Sequence, residues 1–271
     1  VPAIGAAWDN GKRFEPYWRP LFDGFEFTKQ WMAAQKPDVI FLVYNDHATN
    51  FSLEYIPTFA IGCADSFTPA DEGWGPRPVP PVMGDAVFAA HITQSVIRDD
   101  FDLTIVNRMD VDHGLTVPLT LMFGDQDAWP VRVIPFAVNV VQYPPPSGQR
   151  CYNIGRAIRR AIDSYDQDLD VQIWGTGGMS HQIQSQRAGL INREFDTAFL
   201  DGLTRDPEAL ARLPHIDYMR EAGAEGIELV MWLIMRGALD AEVTEIHRFY
   251  HVPASNTAVG HIILENSRGS S

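Results

Sequence analysis

Four residues of this 271-residue chain carry groups suited to chemistry near neutral pH: His47, His113, His181 and Glu228. His47 closes Asn45-Asp46-His47, directly after the apolar run Val39–Tyr44. His113 ends Asn107-Arg-Met-Asp-Val-Asp-His113, a polar stretch that follows Leu103–Val106. His181 ends Gly175-Thr-Gly-Gly-Met-Ser-His181, which follows Val171–Trp174. Imidazole changes charge near neutral pH, and its bare nitrogen is a metal ligand. Glu228 is the one polar residue in Ile227–Met235, a run that reads as an interior helix. An unpaired buried carboxylate costs several kcal/mol or gives up its charge. A metal ion would keep it ionised; a position at the positive end of a helix dipole is the structural alternative.

The elements around these residues imply one α/β domain over residues 1–271, with a mostly parallel central sheet flanked by helices. Val39–Tyr44, Leu103–Val106 and Val171–Trp174 read as buried strands. Each is followed by a polar loop, which would bring the three histidines to one sheet edge, where such folds bind ligands. Tyr55–Gly62 is a shorter strand, Val131–Val141 is broken by Pro135 into two pieces or one irregular strand, and Val259–Leu264 is the last. Helices are expected over Leu21–Ala34, Asp85–Arg98 with Asp85 as its cap, Tyr152–Tyr165, much of Arg187–Arg220 with a break at Leu213-Pro214-His215, Ile227–Met235, and Glu242–Tyr250. His91, inside the second of these, reads as structural. Val1–Pro20, Phe67–Pro81 and His251–Thr257 read as loops, the second with a local ion cluster of Asp71, Glu72 and Arg77, and residues 266–271 as a frayed tail.

Composition narrows the function. A formal charge of −14 argues against a nucleic-acid backbone as partner. The absence of any run of about 18 apolar residues argues against a membrane span. Two cysteines without CxxC spacing suggest free thiols and a cytoplasmic setting. The glycines at 175–178 lack the Lys-Ser/Thr of a phosphate loop, and Ser180 lacks a nucleophile elbow, so His181 reads as a lone acid–base group. Imidazole plus carboxylate with open positions is the ligand set of non-haem Fe(II) oxygen-activating enzymes and also of catalytic zinc. No H-E-x-x-H is present to favour a zinc peptidase.

Several stretches carry a resemblance: Asn45-Asp-His47, Ala70-Asp-Glu-Gly-Trp-Gly-Pro-Arg-Pro78, Asp110-Val-Asp-His-Gly114, Gly175-Thr-Gly-Gly-Met-Ser-His-Gln182, Arg187–Asn192, Glu228–Leu239 and Pro253-Ala-Ser-Asn-Thr-Ala258. Together they resemble the class III extradiol ring-cleavage dioxygenases, in particular catalytic β subunits of the protocatechuate 4,5-dioxygenase type, almost end to end. The resemblance implies an Fe(II) cofactor held by His47, Glu228 and a further histidine expected immediately before Val1. It implies acid–base work by His181, an active-site place for His113, and a substrate carboxylate held at Ser255 and Asn256. The substrates implied are O2 and a catechol carboxylate, protocatechuate with gallate or methylgallate as the alternative. A small helical α subunit, in an α2β2 assembly, is the implied partner. A non-catalytic binding protein on the same fold is the reading from another class.

Overall fold

The computed structural model describes residues 2–267. Two elements, β1 (Val39–Tyr44) and β7 (Arg132–Val138), form the middle of a five-stranded sheet. Its other strands are β2 (Phe59–Gly62), β5 (Thr104–Val106) and β8 (Val171–Gly175), in the order β5-β2-β7-β1-β8. Among the four pairings only β2 with β7 is antiparallel. A second small sheet holds β3 (Ser66–Pro69), β4 (Val82–Met83) and β6 (Asp110–Val111). The chain ends in a long antiparallel ribbon of β9 (Val243–Ala254) and β10 (Thr257–Asn266).

The helices are α1 (Pro2–Asp9), α2 (Arg19–Asp23), α3 (Glu26–Gln35), α4 (Ala86–Arg98) and α5 (His113–Phe123). They continue with α6 (Gly148–Asp163), α7 (Arg193–Arg205), α8 (Pro207–Arg212), α9 (His215–Ala222) and α10 (Leu229–Gly237). None of the described helices is long and apolar enough to cross a membrane.

Every residue of β1 is buried because both faces of the strand are covered. Val39, Phe41 and Val43 pack with α4, α6 and α10, while Ile40, Leu42 and Tyr44 pack with α3 and α5. That alternation is the period-two geometry of a strand. It explains why the strand's sequence is apolar at every position. α10 is equally enclosed, with all nine of its residues buried. Its near neighbour α6 presents Ile154, Ala157, Ile158 and Ala161 to the same core.

Several sequence expectations are corrected. Residues 2–9 form a helix, not a loop, with Ile4, Ala7 and Trp8 buried against Val117 and Leu121 of α5. The helix expected over Leu21–Ala34 is two helices, parted at Gly24, where a Cβ would meet the Phe249 ring within 2.4 Å. Residues 104–106 are an exposed edge strand rather than a buried one. Val87 and Ile97 of α4 face outward at 70 % and 44 % exposure. β7 is one strand, with Pro135 opposite Leu42 and one residue beyond the pairing with β2. Of the helix expected over Glu242–Tyr250, residues 243–250 belong to β9 instead. Asn266 ends β10 opposite Val243, so the ordered chain runs further than expected; residues 268–271 of the expected tail lie outside the described residues.

The 67–81 segment is mostly irregular, but its three charges do not cluster. Asp71 accepts the N–H groups of Gly73 and Gly75, Arg77 pairs with Asp9 at 2.7 Å, and Glu72 turns to His113.

Candidate metal centre and active site

His47 is set by the end of β1 and the start of α5. Beyond Tyr44, the Asp46 carboxylate accepts the backbone N–H groups of Thr49, Asn50 and Phe51 and closes a tight turn. His47 is therefore carried on a fixed loop. Its backbone N–H and its Nδ1–H both donate to Asp112 Oδ2, at 2.9 and 2.8 Å. Asp112 also caps α5, accepting from Gly114 N at 2.8 Å. Donation from Nδ1 fixes the tautomer and leaves Nε2 bare, the arrangement that orients metal-binding histidines. Burial disfavours the charged form of His47, but the Asp112 hydrogen bond and charge, with Glu228, outweigh it and raise its pKa. A proton and a metal ion would compete for the same nitrogen.

Glu228 lies across from it. Its Oε1 is 4.0 Å from His47 Nε2, and its Oε2 accepts the Gly178 N–H at 2.5 Å. The side chain is 14 % exposed. It is the N-cap residue of α10, so the helix-end reading and the metal reading describe the same place. Burial pushes its carboxyl up, yet His181, His47 and the Gly178 N–H together bring it below the ordinary value. The charge persists in a nearly dry position.

The glycine-rich loop after β8 is what allows this approach. Gly177 has φ +125°, and a Cβ there would stand 2.8 Å from Glu228 Cβ. A Cβ on Gly178 would stand 2.8 Å from His181 Cε1. These glycines bring backbone against a carboxylate and an imidazole, not against a phosphate. His181 donates Nδ1–H to the Met179 carbonyl at 2.7 Å, which again leaves Nε2 bare. The loop is anchored from below: Asp196, fully buried, accepts Ser180 N, Ser180 Oγ and Tyr250 OH at 2.9, 2.6 and 2.7 Å.

His113 begins α5 beside His47, the two ring centroids 4.1 Å apart. Its backbone N–H and Nδ1 meet Glu72 at 2.8 and 2.5 Å. Burial lowers its pKa and is only partly opposed by Glu72.

His47, His113, Gly178 and Glu228 line one cavity of about 710 Å³ that also reaches Asn45, Trp174 and His261. One bare imidazole nitrogen facing one buried, ionised carboxylate oxygen fits a divalent metal ion. His47, Asp112 and His113 also place ligand atoms within 4.8 Å of one another. Asp112, however, already spends both oxygens on His47 and Gly114, so it orients a ligand rather than serving as one.

A family model described as the catalytic LigB subunit of aromatic ring-opening dioxygenase matches residues 1–260. The chain belongs to the LigB family. Among relatives, a gallate dioxygenase of Pseudomonas putida is 44 % identical over 197 residues, 73 % of this chain and 58 % of that protein. A 2,3-dihydroxyphenylpropionate/2,3-dihydroxicinnamic acid 1,2-dioxygenase of Klebsiella pneumoniae is 33 % identical over 152 residues, 56 % of this chain and 46 % of that one. The chain spans about half the length of the curated relatives it matches. An uncharacterized protein of Escherichia coli K12 shares the fold, with a TM-score of 0.56 at 12 % identity over 87 % of this chain and 91 % of that one.

In this LigB chain the structure gathers His47, Glu228 and His113 around one cavity, with His181 beside it behind Gly178. His113 arrives on a helix start rather than past a strand of the central sheet. Ser255 and Asn256 form the exposed turn between β9 and β10 and do not line the cavity. They are near it through Thr257, which bridges to His181. The two carboxylates that orient the histidines were not singled out from sequence. Asp112 had a readable signal, an acid just ahead of the apolar run Leu115–Phe123. Glu72 had none, since its partner lies 41 residues away.

Proposed function

We propose that this chain is the catalytic part of an Fe(II)-dependent extradiol dioxygenase that opens the ring of a catechol carboxylate with O2. The observation that carries this reading is the bare His47 Nε2 facing Glu228 Oε1 at 4.0 Å inside a LigB-family chain. Iron would be held by these two atoms and by the histidine expected just ahead of Val1. When bound, Fe(II) supplies a template and Lewis acid for the substrate oxygens.

The chain's own groups do the rest. His181, with Nδ1–H held by Met179, offers Nε2 to take a proton from a catechol hydroxyl and to return it later. Trp174, Trp232 and Met231 supply apolar walls against which an aromatic ring could pack. By the resemblance, Ser255 and Asn256, at the exposed turn next to Thr257, would hold the substrate carboxylate. The P. putida relative, a gallate dioxygenase, supports gallate as the ring accepted; protocatechuate rests on the sequence resemblance alone. A small helical α subunit, in an α2β2 assembly, would close over the site. The free thiols of Cys63 and Cys151 suit a cytoplasmic setting.

The test is O2 uptake by Fe(II)-loaded protein, extended to include the residues ahead of Val1, with gallate and with protocatechuate. A yellow ring-opened product and one O2 per ring are expected from at least one of them. Bound iron without O2 uptake on either acid, with or without an α subunit, would overturn the reading.

A further inference from the structure

Two carboxylates near the start of α5 do the same thing to two histidines. Asp112 takes the backbone N–H and the Nδ1–H of His47. Glu72 takes the backbone N–H and the Nδ1 of His113, one oxygen to each. The Glu72 side chain is only 9 % exposed and the His113 side chain 5 %. The ring's other nitrogen, Nε2, is buried and has no hydrogen-bond partner among the described residues. A buried polar atom left unpaired costs free energy comparable to a lost hydrogen bond. His113 borders the cavity shared with His47 and Glu228, so a ligand hydroxyl that reaches this buried atom from there would supply the missing partner.

The surroundings of Glu72 hold it for this task. β3 and β6 run side by side, with Pro69 opposite Val111, so Glu72 and His113 leave one small sheet together. Asp71 closes the turn after Glu72 on Gly73 and Gly75. Five residues on, Arg77 ties the loop to Asp9 of α1 and to Thr116 and Thr120 of α5. A carboxylate needed only for the α5 terminus would be satisfied by the backbone N–H. Its second oxygen is spent on the imidazole.

We propose that Glu72 is a positioning residue: it holds His113 with Nδ1–H on its carboxylate, so that a bare Nε2 accepts a hydrogen bond from a hydroxyl of the ring substrate. The substrate half rests on the ring-opening reading above; the positioning half does not. The experiment is long-range ¹H–¹⁵N correlation of the imidazoles in metal-free, ¹⁵N-labelled protein, comparing wild type with Glu72→Gln. The wild type is expected to show His113 as the Nδ1–H tautomer, and the variant a mixture with Nε2–H. His181, held by Met179 instead, keeps its tautomer in both. Should Glu72→Gln not fold, Glu72→Asp serves: one methylene shorter at the same backbone position, it draws the carboxylate back from Nδ1, and the same mixture is expected. An unchanged His113 tautomer in the folded variant overturns the proposal. In the Fe(II)-loaded enzyme the variant is expected to lose about tenfold or more in kcat at unchanged iron content. A tautomer change in a protein that opens no ring would sustain the positioning and sink the ring-opening reading instead. A tautomer change with unaltered kcat in an active enzyme would overturn the role given to Nε2.

Discussion

On one side of the site His47 and His113 are each gripped by a carboxylate; on the other, behind Gly178, His181 is held by a backbone carbonyl. All three rings have a fixed Nδ1–H and a bare Nε2. They differ in what the partner does to a proton. A carboxylate adds charge, which strengthens the bare Nε2 as a lone-pair ligand to a metal and as a hydrogen-bond acceptor from a hydroxyl. A carbonyl fixes the tautomer and adds no net charge, which suits a group that must take a proton and give it back. The site thus divides into a holding side and an exchanging side, with Glu228 between them.

Substitutions can break that division in order of size. Glu228→Gln removes the carboxylate that faces His47 Nε2, and Fe(II) binding is expected to weaken by more than about 100-fold, beyond the range of an orienting residue; anaerobic titration measures it. His181→Gln should lower kcat by about 10²–10⁴, the range of general acid–base catalysis, while iron content stays at the wild-type level. Equal losses of iron and activity would place His181 on the holding side and erase the distinction. Asp112→Asn should cost about 10–100-fold in iron affinity, with less effect on kcat at saturating iron. Gly177→Ala forces a side chain into φ +125° beside Glu228 and should destabilise the fold by about 1–3 kcal/mol, read from denaturant unfolding.

The smallest effect is on pH dependence. Asp112 is buried, which pushes its pKa up, but its hydrogen bond and charge contact with His47 bring it below the ordinary 3.8. A depressed carboxylate contributes its full stability above the unfolded value and loses it as pH falls through the folded one. Tm should therefore drop from about pH 5 downward, and Asp112→Asn should flatten that limb. An unaltered acid limb would show that the Asp112–His47 pair contributes nothing to folding.

The sequence made the holding side partly visible. Val39–Tyr44 is apolar at every position because both faces of β1 are covered, so the strand and the histidine after it could be placed without coordinates. Glu228 stood out because it is a lone acid in a run that packs on all sides. The cap at Asp85 was equally plain. What stayed hidden depends on distant partners. β9 holds Val243, Ile246, Phe249 and Tyr250 at spacings that also suit a helix, and only its pairing with β10 makes it a strand. α5 starts at His113-Gly114 and contains Pro118, both poor helix signals, so Asp112 was not seen as its cap. Glu72 sits in a loop whose local charges suggested one another, while its real partner is brought in by the register of two short strands.

The central claim, that His47 and Glu228 share one metal ion, is tested most directly by anomalous diffraction at the iron edge from Fe(II)-loaded crystals. A single peak within bonding distance of both His47 Nε2 and Glu228 Oε1 is predicted. A peak bonded to Asp112 or His113 instead, or no peak in crystals that retain the fold, would contradict it.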